Sequence, residues 1–368
     1  MRQESVLVAG GGIAGLAVAR ALRSHGIRAV VSERTAHTSA PGLAINLPGN
    51  AVTAFAELGL KDELEKTGRP TRRREYRSAA GRLLFEVDED EFWGPDSRPR
   101  CVRRSDLLAL LDEPHEDNRR RSVIESVRPS AGGAEAAFAD GQVEQHDFVI
   151  GADGVRSVVR QSLFPEQTSS SAVISTASFR IMAPNPGVDC FTAWSGDGSA
   201  FLLIPVDDDE VYAFASAAGG GHVDADPSWL SRTFASYPEP VKPVVAHAQR
   251  RPDALYHSPI EEIRIGEWSR GRIALIGDAA HATAPIWAQG AALAVEDALT
   301  IADVLAEGDW DTAGTRYQQQ RRERVRHVQT ATDRFSEALA LPLEVRELNM
   351  PIAGPRAYRE VFGPLRSK

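Results

Sequence analysis

The chain has 368 residues, of which 42% are hydrophobic, so it can bury a large core and its length predicts two to three domains. This composition excludes a disordered chain and a small disulfide-stapled fold. Acidic residues outnumber basic ones, 51 against 42, and the formal net charge of −9 argues against nucleic acid or an anionic membrane as partner. A small-molecule ligand is the better expectation.

Two cysteines, Cys101 and Cys190, provide neither a disulfide framework nor a CxxC metal or redox pair. We therefore expect no metal site and a reducing, cytoplasmic location. The first residues do not resemble a signal peptide, and polar residues interrupt the most apolar stretch, 273–295. These patterns predict a soluble protein without a membrane anchor.

Apolar periodicity and turn residues predict alternating strands and helices. In chain order these are a strand at 5–9, a helix at about 13–25, a strand at 28–33, a helical stretch at 49–66, short alternating segments at 72–93, a helix at 104–112, a strand, turn and helix at 146–163, strands within 173–217 with turns at 196–198 and 207–209, a strand at 273–276, an Ala-rich helix at about 290–306 and a helical tail at 312–340. The opening elements predict a βαβ unit.

Segments in which strands alternate with helices are interrupted twice by segments of short strands. This arrangement predicts two interleaved domains, an α/β domain and a mostly antiparallel β domain that is inserted twice. We assign residues 1–71, 98–172 and 264–330 to the first domain, 72–97 and 173–263 to the second, and 331–368 to a C-terminal helical tail. The basic clusters Arg72–Arg74 and Arg119–Arg121 are interpreted as solvated surface.

A glycine-rich turn joins the first strand to the first helix. Its sequence contains Gly10, Gly12 and Gly15 in the GxGxxG spacing, which favours a tight turn, close approach of a pyrophosphate and close packing of helix on sheet. Ile13, Ala14 and Gly15 open the helix, whose free N–H groups and dipole suit phosphate. Glu33 follows the second strand, where a carboxylate can bind ribose hydroxyls. This pattern predicts a dinucleotide site and does not distinguish NAD from FAD.

Two further motifs follow buried strands. The first is Gly151-Ala152-Asp153-Gly154, with a helix predicted directly after it from Val155. The second is Gly277-Asp278-Ala279-Ala280-His281, followed by Pro285, Gln289-Gly290 and Glu296-Asp297. Asp278 lies at the carboxyl end of its strand, the usual ligand edge of an open α/β sheet. An N-cap role for Asp278 and an ordinary polar role for His281 remain the structural alternatives.

With these three motifs in this order and spacing, the sequence resembles the class A flavoprotein monooxygenases of the para-hydroxybenzoate hydroxylase type, from residue 5 to about 330. The resemblance implies a GxGxxG-type, Rossmann-like FAD-binding domain interleaved with a mostly antiparallel substrate domain. It also implies an FAD site, formed by Gly10, Gly12, Ile13, Ala14, Gly15, Glu33, Arg34, Arg104, Val123, Asp153, Gly154, Asp278, Pro285, Gln289, Gly290 and Ala291.

The family reaction uses NADH or NADPH to reduce FAD, after which O₂ forms a C4a-hydroperoxyflavin that hydroxylates or epoxidises an aromatic or polyketide-like small molecule. The protein contributes orientation, a dry pocket and electrostatics. No second GxGxxG unit is present for the nicotinamide. The alternatives left open are an FAD-dependent reductase and a non-redox cyclase that retains FAD as a structural element.

Candidate residues for substrate chemistry are Arg180, Tyr212, His257 and Trp287. Each has an equally ordinary structural alternative. The loop at 287–292 departs from the common family pattern Gly-Gln-Gly-Ala-Asn, because Ala288 and Ala292 stand where that pattern has glycine and asparagine. Loss of the glycine restricts access to positive φ, and loss of the amide removes a polar contact. We expect this loop to set how the protein differs from its relatives.

Overall fold

The structure is a computed structural model, which describes residues 5–34, 43–112, 119–120, 122–166, 177–217 and 228–367. Its strands are β1 (Ser5–Ala9), β2 (Arg28–Ser32), β3 (Ala44–Leu47), β4 (Arg69–Pro70), β5 (Arg73–Ser78), β6 (Leu83–Asp88), β7 (Arg100–Arg103), β8 (Arg119–Arg120), β9 (Ile124–Ser130), β10 (Gly133–Phe138), β11 (Val143–His146), β12 (Phe148–Gly151), β13 (Ala177–Pro184), β14 (Phe191–Ser195), β15 (Ser199–Pro205), β16 (Glu210–Ala217), β17 (Tyr256–His257), β18 (Ser269–Arg270) and β19 (Ile273–Leu275). Its helices are α1 (Ile13–Ser24), α2 (Gly49–Glu57), α3 (Lys61–Glu65), α4 (Glu89–Trp93), α5 (Arg104–Leu111), α6 (Val158–Leu163), α7 (Ser228–Thr233), α8 (Val241–Arg250), α9 (Asp278–His281), α10 (Gly290–Ala306), α11 (Trp310–Leu339) and α12 (Leu343–Phe362).

A six-stranded sheet in the order β18-β19-β12-β1-β2-β8 carries the glycine-rich turn. Strands β19, β12, β1, β2 and β8 are parallel, so the residues that follow them emerge at one edge. The central strands β1 and β12 are buried along nearly their whole length, as expected of a sheet covered on both faces. Helices α1 and α10 pack together on this sheet.

A second, seven-stranded sheet has the order β17-β13-β16-β15-β14-β5-β6 and is antiparallel except where β14 pairs with β5. One face carries Phe179, Ile181 and Ala213 and packs on α7 and α8. The alternate residues of the same strands form the opposite face. That face packs through Phe191 and Ile204 against Ala44 and Cys101 of a small sheet, β3-β7-β4, which connects the two large sheets.

The predicted interleaving of an α/β unit with a mostly antiparallel sheet is confirmed, whereas some local predictions were wrong. The helical stretch at 49–66 is two helices, because Gly59 turns the chain with φ +76°. The helix after the second motif begins at Val158 instead of Val155. The three-stranded sheet β11-β10-β9 was not predicted.

The C-terminal helices fold back onto the seven-stranded sheet. Helix α12 crosses β6 so closely that a Cβ added at Gly354 would lie 2.3 Å from the ring of Phe85. Within the residues described above, no helix is both long enough and apolar enough to cross a membrane.

Candidate active site

The first two glycine motifs touch each other at the carboxyl edge of the six-stranded sheet. Gly10 has φ +104°, and a Cβ there would lie 2.5 Å from the carbonyl oxygen of Ala152. At Gly15 a Cβ would lie 1.8 Å from the carbonyl oxygen of Gly10. Both glycines are therefore required by close backbone approach, which agrees with the roles predicted for the first and third glycines of the fingerprint.

The second glycine of the fingerprint faces open space. A Cβ at Gly12 would meet no protein atom within 4 Å, and no side chain caps the N-terminus of α1 there. The carboxylate of Glu33, just after β2, accepts a hydrogen bond of 2.8 Å from the N–H of Gly11. Glu33 thus fixes the turn through the N–H of Gly11. The uncapped N–H groups at the start of α1 lie beside the open space at Gly12, as phosphate binding requires.

Asp153 of the second motif holds the start of α6. Its carboxylate accepts hydrogen bonds from the Ser157 hydroxyl at 2.5 Å and from the N–H of Val158 at 2.7 Å. Burial raises its pKa, and these hydrogen bonds oppose the rise. Gly154 follows with φ +78° and no neighbour at its Cβ position. Ser157 is the N-cap of α6, and Asp153 supports this cap and the first turn of the helix, so the open backbone at Gly154 is what a ligand could approach.

The third motif lies directly beside the first. A Cβ at Gly277 would be 3.2 Å from the Cβ atoms of Ala14 and Ala294, so this turn is enclosed between α1 and α10. Asp278 comes next and remains solvent-accessible. The protein around its other sides desolvates the carboxyl group and raises its pKa. Its Oδ1 lies 3.8 Å from the Cβ position of Gly290, at the start of α10.

The loop before α10 contains the one non-glycine residue with positive φ among those the structure describes. Ala288 has φ 54° and ψ 30° and follows a 3-10 turn over Pro285–Trp287. The loss of the glycine has thus not removed positive φ, because Ala288 itself adopts the left-handed conformation. Gln289 is fully buried and exchanges hydrogen bonds with Asn50 of α2, so only its backbone can border a ligand. Gly290 and Ala291 then open α10 without a side-chain cap.

A buried ionic network supports this loop from behind. Asp297 of α10 accepts hydrogen bonds from the N–H of Gly277 at 2.9 Å, from His281 at 2.6 Å and from Arg321 of α11 at 2.8 Å. Burial alone would raise the pKa of Asp297, but the charges of His281 and Arg321 lower it to about 2. Arg321 also pairs with Glu296, which accepts from Asn50. His281 is therefore part of this buried support, and a direct role for it in the chemistry is not needed to explain its position.

Three further predicted cofactor residues lie outside the three motifs. Arg34 is exposed just after β2, and Val123 is 44% exposed, with its carbonyl bonded to Ala139 N–H. Arg104 is half-buried at the start of α5 and forms no ion pair with the residues that the structure describes. Their roles remain predictions.

Two of the predicted substrate residues meet on the face of the seven-stranded sheet that packs against the small sheet β3-β7-β4. We call this the inner face. Arg180 donates to the Ser258 hydroxyl at 2.7 Å and stacks over Phe214, while the neighbouring Tyr212 is buried enough that its pKa rises to about 12 against the opposing charge of Arg180. His257 instead stacks on Phe179 at 4.7 Å, on the other face. The geometry therefore separates His257 from Arg180 and Tyr212.

Trp287 lies against the C-terminal helices. Its ring makes edge contacts with Phe335 of α11 at 5.7 Å and with Phe362 of α12 at 6.1 Å. Its Nε1 is buried and has no hydrogen-bond partner among the described residues. Packing is thus its observed role, and a catalytic role stays a prediction.

Sequence reasoning missed Arg74, which it placed in a solvated basic cluster. That interpretation was wrong for Arg74, because the side chain is 4% exposed and forms an ion pair with the buried Glu89. Arg72 and Arg73 of the same cluster are exposed, as expected. Strand β5 places Arg73 and Arg74 on opposite faces, but no local signal in the sequence shows which of the two faces is buried.

Comparison with known proteins identifies the family to which this chain belongs. Residues 3–334 match the family described as FAD binding domain. The chain is 30% identical to 2-heptyl-3-hydroxy-4(1H)-quinolone synthase of Pseudomonas aeruginosa over 88% of this chain and 86% of that one. It is 32% identical to FAD-dependent urate hydroxylase of Klebsiella pneumoniae over 88% and 87%. The crystal structure of Klebsiella pneumoniae HpxO complexed with FAD and uric acid superposes with a TM-score of 0.88 at 27% identity, covering 98% and 96%.

The chain belongs to the FAD-dependent flavoprotein monooxygenases. The residues present fit the cofactor of this family. Gly12 leaves room beside uncapped helix N–H groups, as a pyrophosphate requires, and Asp278 opens onto the same edge next to the N-terminus of α10. The flavoprotein thus has one continuous edge of sheet, from Glu33 to Gly290, along which FAD can extend.

Proposed function

We propose that this flavoprotein uses NADH or NADPH and O₂ to hydroxylate or epoxidise a planar aromatic small molecule bound between the flavin edge and the inner face of the seven-stranded sheet. Bound FAD would accept a hydride from the nicotinamide and supply activated oxygen. The observation that carries the proposal is the meeting of three motifs at one sheet edge, in a chain whose second sheet carries Arg180 and Tyr212 on one largely apolar face.

The protein side of the reaction is binding, orientation and charge. The N–H groups around Gly12 would bind the pyrophosphate, and Asp278 would bind the ribityl hydroxyls. The uncapped start of α10 at Gly290 presents a positive dipole end, which favours negative charge on the adjacent ring system. Tyr212 stays protonated at neutral pH, so its hydroxyl can donate a hydrogen bond to substrate while Arg180 supplies positive charge beside it.

Relatives of known activity support the substrate class. The names of two of them describe the synthesis of a hydroxyquinolone and the hydroxylation of urate, and both named compounds are planar, oxygen-bearing ring systems. We extend to this chain only that shared chemistry. The nicotinamide would be bound transiently, since no second glycine fingerprint is present.

The deciding experiment measures substrate-dependent oxidation of NADH and NADPH by the purified holoenzyme, with isotopically labelled O₂. Incorporation of one labelled oxygen atom into product supports a monooxygenase. Reduction of a substrate without label would indicate a reductase, and conversion without NAD(P)H would indicate a cyclase that retains FAD as a structural element. Either result would overturn the proposal.

A further inference from the structure

Arg74 holds a buried positive charge with one uncommitted donor. Its Nε donates to Oε1 of Glu89, and the other oxygen of Glu89 accepts from the Tyr358 hydroxyl at 2.7 Å. The carboxylate is therefore fully engaged on that side. Nη2 of Arg74 is buried without a hydrogen-bond partner among the described residues. A buried guanidinium N–H favours an acceptor strongly, because leaving it unpaired costs free energy.

The surroundings of this guanidinium are flat and aromatic. Arg74 lies 4.5 Å from the ring centroid of Phe191 and 5.8 Å from those of Tyr358 and Phe362. The Tyr76 hydroxyl also interacts with Arg74, although burial raises its pKa. Planar rings and a guanidinium together suit an aromatic ligand that carries an oxygen at its edge.

The position of Arg74 links the substrate face to the flavin edge. Phe191 belongs to the cluster between the seven-stranded sheet and the small sheet β3-β7-β4, against which Tyr212 packs. Phe362 touches both Arg74 and Trp287, the loop residue that precedes α10. Arg74 therefore lies between the proposed substrate residues and the loop that borders the flavin.

We propose that Arg74 is a specificity-determining residue, whose Nη2 donates a hydrogen bond to a carbonyl or phenolate oxygen of a planar aromatic substrate, with Phe191 beside the ring. This inference rests on the proposed function for its ligand class. Glu89 and Tyr358 are positioning residues, because the ion pair with Glu89 and the hydrogen bond from Tyr358 to Glu89 hold the guanidinium in place.

Binding to the holoenzyme tests this assignment without turnover, by perturbation of the flavin absorbance. The probes are two oxygenated rings and their deoxy parents: 4-hydroxyquinoline and quinoline, and uric acid and purine. We expect wild type to prefer at least one oxygenated member. Arg74→Lys keeps the positive charge that pairs with Glu89 but loses the planar guanidinium. Its affinity for the preferred oxygenated probe should fall about tenfold or more, and its affinity for the deoxy parent should stay within about twofold of wild type. Arg73→Lys, on the exposed neighbour, is the matched control and should bind both probes as wild type does.

The inference would be overturned if Arg74→Lys lost affinity equally for both members of a pair. It would also be overturned if the wild type preferred no oxygenated probe over its deoxy parent. Should Arg74→Lys fail to retain FAD, the double variant Arg74→Gln with Glu89→Gln leaves no buried charge unpaired and must show the same selective loss. Selective binding without labelled oxygen in any product would defeat the proposed function while supporting the assignment of Arg74.

Discussion

Ala288 occupies a backbone conformation that glycine adopts without cost. A Cβ in the left-handed region raises the free energy by about 1 kcal/mol, so we expect Ala288→Gly to raise the unfolding free energy of the flavoprotein by about that amount. Urea denaturation followed by tryptophan fluorescence measures the change. Ala291→Gly, three positions on within α10, is the control and should instead lower stability by about 0.5–1 kcal/mol. Destabilisation in both variants would contradict the strain at Ala288.

Gly12 and Gly15 give opposite expectations although they belong to one fingerprint. Gly12→Val should fold with a melting temperature near that of wild type and fail to bind FAD, because the new side chain points into open space that the pyrophosphate needs. Gly15→Val should not fold well, because its Cβ would overlap the carbonyl oxygen of Gly10. Melting curves and flavin content of the purified variants separate the two outcomes. Full FAD occupancy in Gly12→Val would disprove the pyrophosphate assignment.

At the scale of elements, Asp297 joins α10 to α11 through Arg321 and should make stability depend on pH. Its pKa in the folded protein is about 2, below the ordinary 3.8, so the ionised form stabilises the fold above pH 4. This contribution, about 2 kcal/mol, is lost as the pH falls toward 2. We therefore expect the difference in melting temperature between wild type and Asp297→Asn to narrow over that range.

Asp311→Asn is the control for this measurement. Asp311 pairs with Arg272 at the surface, where its side chain is 74% exposed, and such pairs contribute little to stability. Its melting temperature should follow that of wild type at every pH. A difference between wild type and Asp297→Asn that does not change with pH would show that Asp297 acts through packing alone.

The elements that the sequence predicted best are those whose signal is local. The strands before Gly10 and Gly277 and the long helix α10 could be placed from apolar runs and glycines, and the family motifs then predicted the architecture. Burial and strand pairing that depend on residues far apart in the sequence have no such local signal. Arg74 became buried only because β5 pairs with β14, and Gln289 turned inward only because Asn50 meets it from α2. The sites that depend on those contacts could not be predicted.

At the scale of the molecule, Trp287 connects the flavin-side loop with the C-terminal helices. We expect Trp287→Ala to lower the unfolding free energy by about 3 kcal/mol, because its contacts with Phe335 and Phe362 are lost. The measurement pairs a melting curve with the product formed per NAD(P)H consumed. Trp287→Phe serves as the control that keeps an aromatic ring.

The two readouts of that experiment decide the predicted catalytic role of Trp287. A folded variant that forms less product per NAD(P)H supports a direct role in the reaction. A destabilised variant that forms as much product per NAD(P)H as wild type would show that Trp287 acts only through packing. Unchanged stability would contradict the contacts themselves.

The order of strands in the central sheet has a consequence for the order of folding events. Strand β1 has β12, near residue 150, as one neighbour, and β12 has β19, near residue 275, as its next. Contacts of such sequence separation slow folding, since a long chain must be ordered before they form. The glycine turn after β1 can therefore become a nucleotide site only after β12 and β19 have joined β1, so cofactor capture follows the assembly of the central sheet.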